Sequence, residues 1–303
     1  MTAAGYLSGR YAESFAEVGD ARRLPRSGGW IIERSPAEEL RDAMGIYPIL
    51  CCADWSGLQE DLSELEDRLV SLVVVTDPHG RYDLNLLQQS FNAVVRPYKA
   101  HLVTDLAQDP ADFVHPSHRR NARRALRLVN VEAISEPLHL ADQWWSLYQI
   151  LVERHRIRSL VRFSRAAFAI QLSVPGIRAY RAMAGNETRS MSLWYVQGDV
   201  AYYHLGASSD AGYRDRAAFA VFWKTIEDLR SGGVRWLSLG AAPGPNDDGR
   251  SGLGRFKSGW ATDTRMTYLC GSIWKRDVYD RLSAASGLAG PDYFPAYRAG
   301  EFG

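Results

Sequence analysis

The stretch Trp194–Gly259 holds the residue types and turns best suited to chemistry. It reads WYVQGDVAYYHLGASSDAGYRDRAAFAVFWKTIEDLRSGGVRWLSLGAAPGPNDDGRSGLGRFKSG. Two apolar, strand-like runs meet at Gln197-Gly198, and the second ends in Ser208-Ser209-Asp210. That turn opens a helix of about four turns, with Phe219, Val221, Phe222, Ile226 and Leu229 on its apolar side. Gly232-Gly233 ends it, a short strand follows over Val234 to Leu239, and a glycine-rich loop then delivers Phe256 and Lys257. A loop–helix junction directly after a strand points several backbone N–H groups outward together, where they can hold an anion or an oxyanion. The same pattern also describes an ordinary α/β unit with a capped helix and an open loop. Residue types alone leave both readings standing.

A second candidate lies upstream. Ser117 caps a helix that reads HisArgArgAsnAlaArgArgAlaLeuArg. At about 100° per residue, Arg119, Arg120, Arg123, Arg124 and Arg127 fall within one arc of about 140°. Ala122, Ala125, Leu126, Leu128 and Val129 take the other side. A guanidinium group binds phosphate bidentately, so five arginines with no interposed acid suit a nucleic-acid backbone or a nucleotide. The plainer alternative is a solvated face whose acidic partners come from elsewhere in the fold.

The elements that must position these residues are bounded by composition. The chain has 303 residues, enough for one large or two medium domains. Its 36 Lys and Arg against 35 Asp and Glu leave a net charge of +1, so any basic site must be local. Cys51 and Cys52 are adjacent and Cys270 is remote, a spacing that fits no metal or CxxC pattern. No cofactor or metal is expected. No apolar run approaches the length of a membrane span, and Glu13, Glu17 and Asp20 argue against a signal peptide. A cytoplasmic location is the resulting expectation.

Residues 1–28 read as an arm. Residues 29–114 read as an α/β domain: strands at 30–33, 47–53, 69–76 and 99–105, and helices over Pro36–Met44, Gly57–Arg68 and Asp83–Ser90. Residues 115–303 read as a second domain. After the arginine helix come helices over Leu138–His155 and from Ser164 to Leu172. A three-stranded meander then turns at Gly185-Asn186 and Gln197-Gly198, and the chain closes with a strand at Thr264–Ile273 and a helix at Arg276–Ala285.

From residue 117 onward this order resembles the GNAT acyltransferase fold, in the branch shared with Fem-type, aminoacyl-tRNA-dependent transferases. HisArgArgAsnAlaArgArgAla is similar to the family's basic helix, and GluArgHisArg (153–156) to the Glu-Arg pair that ends the next one. TyrTyrHisLeuGlyAlaSerSer (202–209) resembles its aromatic strand. TrpLysThrIleGluAsp and LeuSerLeuGly match the helix and strand that follow, and GlyLeuGlyArgPheLysSerGlyTrp (252–260) its Gly-Leu-x-x-Phe-Lys-x-Gly-Phe motif. The resemblance implies two tandem GNAT-like domains of α/β (α+β) class, each with a mixed central sheet flanked by helices, the second more complete. It also implies acyl transfer to an amine. Phe256 would then stack on the donor adenine and Lys257 would hold the oxyanion. The arginines, Ser208, Ser209, Gly252 and Gly254 would contact the donor, and Tyr202 and Ser238 the acceptor.

Aminolysis of an ester needs a cation or N–H groups aimed at the developing oxyanion. It also needs an amine free of its proton. By residue type His204 is the best candidate general base and Asp210 the second, and substrate assistance with no protein base is equally open. Two departures from the family matter. Ser238 stands where the family has an aspartate, and SerSerAspAlaGlyTyrArgAspArgAlaAla lacks the glycine pattern of a CoA pyrophosphate cradle. The latter turns the expected donor toward aminoacyl-tRNA. An acyl-CoA-dependent N-acetyltransferase and a non-catalytic RNA-binding protein are the competing readings.

Overall fold

The computed structural model describes residues 3–158, 162–241, 251–287 and 293–301. In chain order the elements are α1 (Gly9–Glu13), β1 (Asp20–Arg23), β2 (Trp30–Arg34), β3 (Asp42–Gly45), α2 (Leu58–Ser63), β4 (Ser71–Val75), α3 (Leu84–Ser90) and β5 (Val94–Asp105). Next come α4 (Pro110–Phe113), α5 (Pro116–Ala125), β6 (Asn130–Ile134), α6 (Ala141–His155) and α7 (Arg165–Gln171). The meander β7 (Ile177–Ala184), β8 (Glu187–Gln197) and β9 (Val200–Ser208) follows, then α8 (Asp210–Asp215), α9 (Ala217–Ser231) and β10 (Trp236–Gly240). The chain ends with α10 (Gly252–Ser258), β11 (Asp263–Ile273) and α11 (Arg276–Ser286). It forms two compact units, and β5 and β11 each contain a point at which the chain passes from one to the other.

The first unit contains Tyr6–Lys99 and the chain from Met266 onward. Here β1, β2 and β3 run antiparallel, β3 and β4 parallel, and β4 pairs antiparallel with Leu269–Ile273 of β11. Leu24, Ile31, Leu50, Trp55, Leu58, Leu72 and Leu87 form its core. Several expectations need correction. Residues 6–28 are no arm: Tyr6, Tyr11 and Phe15 are fully buried and β1 pairs along β2. Pro36–Met44 is not a helix, because Asp42–Gly45 is a buried strand between β2 and β4, where burial overrides local propensity. The segment 47–53 forms a single bridge, Leu50 to Thr76, rather than a strand. The expected second domain also stops short of 303, since β11 supplies this unit's sheet and α11 follows it.

The second unit contains Ala100–Ile157 and Ser164–Arg265. Its strands lie in the order β5, β10, β9, β8, β7, β6. All neighbours are antiparallel except β9 and β10, which run parallel. The meander and its turns stand where the sequence places them, whereas the edge strand β6, polar and short, is an addition. Helix α9 packs Phe222, Ile226 and Leu229 against Tyr180, Trp194, Ala201 and Leu237, with Ala122 and Ala125 of α5 in the same core. Helices α6 and α7 serve the other face, where the Tyr195 hydroxyl donates to the Gln171 carbonyl. The expected four-turn helix is broken at Arg216, whose φ of 58° is left-handed, into α8 and α9.

The parallel pair has a limited register. Val200, Ala201 and Tyr202 pair with Trp236, Leu237 and Ser238. Beyond these positions β9 continues along β8 to Ser208, with an irregularity that makes His204 an extra residue opposite Leu193/Trp194. Strand β10 shifts register against β5 between Ser238 and Gly240. The two strands therefore separate into a fork at their carboxyl ends, the end at which parallel α/β sheets bind ligands.

In the first unit Asp42 is fully buried and accepts from Arg298 Nε and Nη2 at 2.9 Å and from the Tyr297 hydroxyl at 3.0 Å, with Arg34 Nε 3.5 Å away. Removing one partner of a buried charge network strands the others. Asp42→Ala is expected to cost about 3 kcal/mol in urea unfolding. A loss under about 1 kcal/mol would show the tail to be held by packing alone.

Candidate active site

Lys257 sits at the fork. Its side chain belongs to the short helix α10, whose N-terminus is capped by Ser251 Oγ accepting from the Gly254 N–H at 2.9 Å. The residue is only 7% exposed. Its Nζ donates to the carbonyl of Ala241, just past β10, at 2.9 Å, and lies 5.7 Å from the centre of the Tyr203 ring. Tyr203 is the first residue of β9 beyond the paired register. Gly240 turns the chain beside the ammonium at φ +76°, a left-handed conformation that favours glycine. The ammonium is thus held between the two diverging strands, where a cation acts through few intervening waters.

Phe256 is half-buried and packs within a ring cluster: Phe222 at 4.8 Å, Phe219 at 5.0 Å, His118 at 6.0 Å and Trp260 at 6.1 Å between centroids. This packing makes the ring a part of the core under the fork. Gly254 is buried and Gly252 exposed in the same helix. The glycine-rich loop at 242–250 lies outside the described residues.

His204 does not join Lys257. Tyr203 packs on Trp194 and Phe222, the face that carries α9. The His204 ring packs on Tyr195, 5.0 Å away, and its Nε2 lies 3.1 Å from Gln171 Oε1 of α7, on the opposite face. Desolvation there pushes its pKa down to about 3. A base that weak is poorly matched to removing a proton from an alkylammonium. Tyr202 is buried on the same side, in register with Tyr195 and Ser238.

Asp210 is also engaged. Its carboxylate pairs with Arg154 at 2.5 Å, and that guanidinium stacks 4.0 Å above Tyr213. Ser209 caps α8 by accepting from the Gly212 N–H at 3.1 Å, and Ser208 Oγ donates to Ser190 Oγ at 2.9 Å. A Cβ on Gly212 would lie 1.8 Å from the Arg189 carbonyl, so the first turn of α8 is pressed onto β8. The chain's own side chains fill the turn that the sequence offers as an anion cradle.

The arginine face is real. The helix starts at Pro116, capped by His115 rather than Ser117, because proline takes the first helical position. Arg120, Arg123, Arg124 and Arg127 are exposed and Arg119 is half-buried, its Nη1 donating to the Ala111 carbonyl. Among the described residues none of the five has an acidic partner. Arg216 lies beside them, donating to Asn121 Oδ1. What the sequence missed is His118, on the inward side of this helix, along with Tyr203 and the Gly240-Ala241 step. Only the shared helix with the arginines hinted at the first.

Residues 116–257 match the family model for the acetyltransferase (GNAT) domain. This stretch, 142 of the chain's 303 residues, is similar to that acyltransferase domain. No curated protein sequence matches. Among solved structures, FemX shares the fold at a TM-score of 0.66 and 14% identity, covering 90% of this chain and 93% of its own. The C-terminal domain of a putative lysylphosphatidylglycerol synthetase from Agrobacterium fabrum does so at 0.64 and 15%, with 94% of each chain covered. L-PGS from Bacillus licheniformis follows at 0.57 and 14%, covering 85% and 90%. These likenesses establish that the GNAT-like architecture extends over most of the chain. Among the described residues no helix is long and apolar enough to cross a membrane. A surface hollow lined by Arg81, Tyr82, Asp83, Asn85, Leu86 and Gln89 belongs to the first unit and contains none of the GNAT domain's residues.

The depressed pKa of His204 has a sign that can be measured. As pH falls below about 6.5 the unfolded chain protonates this histidine, whereas the folded chain resists until pH about 3. Its contribution to stability is complete above pH 6.5 and is lost on acidification across that window. Histidine NMR is expected to show one ring still neutral at pH 4.5, and His204→Gln to lose less stability than wild type between pH 6.5 and 4. A titration of that ring near 6.5 would restore it as a candidate base.

Proposed function

We propose that this GNAT chain transfers an aminoacyl group from the 3′ end of a charged RNA to the amine of a small molecule or peptide. The observation that carries the reading is the buried Lys257 ammonium at the fork of β9 and β10. In the reaction the acceptor amine attacks the ester carbonyl, and the carbonyl oxygen takes up negative charge. The ammonium stabilises that oxyanion. Collapse breaks the ester C–O bond, forms the amide and leaves the ribose hydroxyl, which takes the proton given up by the amine. With His204 on the far face and Asp210 paired to Arg154, this proton passes within the substrate.

Two features of the chain favour RNA as the donor. Among the described residues the exposed arginines of α5 have no acidic partners, which suits a phosphate backbone. The first turn of α8 is closed by Ser209, carries Asp210 and packs on Arg189, which argues against a pyrophosphate at that place. The fold shared with FemX and with a lysylphosphatidylglycerol synthetase domain is consistent with this. An acyl-CoA donor is the second reading, favoured by the acetyltransferase family model.

The test pairs donors with variants. Radiolabelled mixed aminoacyl-tRNA or acetyl-CoA is supplied with a pool of primary amines. Product is expected from the RNA donor alone, with Lys257→Ala slower by about 100- to 1,000-fold. Arg123→Gln and Arg124→Gln are each expected to raise the KM for RNA and to flatten its log–log salt dependence by about one unit. Turnover of acetyl-CoA without any RNA-dependent product would assign the second reading instead. Tight RNA binding with no turnover of either donor would point to a non-catalytic RNA-binding protein.

A further inference from the structure

His118 sits beneath the arginines, on the buried side of the same helix. It is 9% exposed, and its ring is wedged edge-on against Phe219 and Trp260, each 5.0 Å away. Its Nε2 lies 3.0 Å from the Phe256 carbonyl oxygen. A carbonyl can only accept, so Nε2 carries the proton and donates. On the other side of the ring, Nδ1 is 3.3 Å from Ser117 Oγ, and that hydroxyl is 2.7 Å from His115 Nδ1.

The bond goes to a carbonyl that the helix itself has abandoned. In a continuing α-helix the Phe256 carbonyl would accept from the Trp260 N–H, four residues on. Here Trp260 N–H turns to the Lys257 carbonyl at 3.0 Å, because α10 ends after seven residues. Two carbonyls at this end are then taken by α5: Phe256 by the His118 ring, and Gly259 by the His115 N–H at 3.0 Å. Gly259 has no room for anything larger, since a Cβ there would lie 2.4 Å from the His118 ring. The peptide plane that His118 grips is the one joining Phe256 to Lys257.

We propose that His118 is a positioning residue for Lys257: its hydrogen bond to the Phe256 carbonyl fixes the backbone from which the ammonium reaches the fork. This rests on the reading of Lys257 given above. It makes the arginine helix and the reacting cation parts of one clamp. A merely structural histidine would be replaceable by any ring that fills the space. A positioning histidine is replaceable only by a side chain that still donates at the same distance.

The experiment compares His118→Phe, which keeps the ring and loses the donor, with His118→Gln, whose amide nitrogen reaches about as far as Nε2. Both are assayed by single-turnover transfer from radiolabelled aminoacyl-tRNA, beside Lys257→Ala and with thermal unfolding recorded. His118→Phe is expected to lower the rate at saturating donor about tenfold or more while the donor KM changes less than about twofold. His118→Gln is expected to recover most of that rate. Gly259→Ala, which must push the ring aside, is expected to behave like His118→Phe. If His118→Phe does not fold, His118→Asn, too short to reach the carbonyl, replaces it in the comparison with His118→Gln. Equal rates for the donor and non-donor variants would overturn the proposal while leaving Lys257 in place. A fully active Lys257→Ala would overturn both together.

Discussion

A charge kept out of water is the constraint on which the rest of this site depends. Burying an ammonium is costly unless it is paired or hydrogen-bonded, and a chain that needed only bulk under the fork would have used leucine or methionine. Lys257 is compensated by the Ala241 carbonyl and by the face of Tyr203. Both partners exist because β9 and β10 part company after Tyr202 and Ser238. The chain turns at Gly240 there, and the Ala241 carbonyl accepts from the ammonium. In so sheltered a place a positive charge can stabilise a developing oxyanion with little solvent reorganisation, which is where most electrostatic catalysis arises.

The two faces of the second unit divide the labour. One carries α5, α9 and α10, with a ring cluster of His118, Phe219, Phe222, Phe256 and Trp260 that ties the basic surface to the cation. The other carries α6 and α7 and encloses His204, Tyr202 and Tyr195 in a desolvated environment. The buried ammonium lies on one side, and on the other His204, part-buried against Tyr195, is kept neutral by desolvation. In the proposed reaction this asymmetry leaves the proton to pass between the substrates.

Much of this was legible in the residues. The meander, its two glycine turns and the helix starts near Asp83 and Ser164 follow from period-two alternation and from residue types that favour a helix N-terminus. The arginine arc is present as the sequence places it, and that no acidic partner meets it among the described residues could only come from the fold. Other features are non-local. Strand β11 leaves the domain in which its sequence neighbours sit and pairs with β4, about two hundred residues back. Asp42–Gly45 looks helical until the strands on either side are known. The irregularity that makes His204 an extra residue in β9 depends on its partner strand. For the same reason His118 was invisible: its partner carbonyl is 138 positions away.

The central claim is that the Lys257 ammonium meets the reacting carbonyl oxygen. The most direct measurement is a crystal structure with a phosphonate analogue of the tetrahedral intermediate linked to a 3′-aminoadenosine. The oxyanion-mimicking oxygen is expected about 2.7–3.1 Å from Nζ, between Tyr203 and the Gly240-Ala241 turn. An analogue bound elsewhere, or bound at the fork with that oxygen beyond hydrogen-bonding reach of Nζ, would contradict the account.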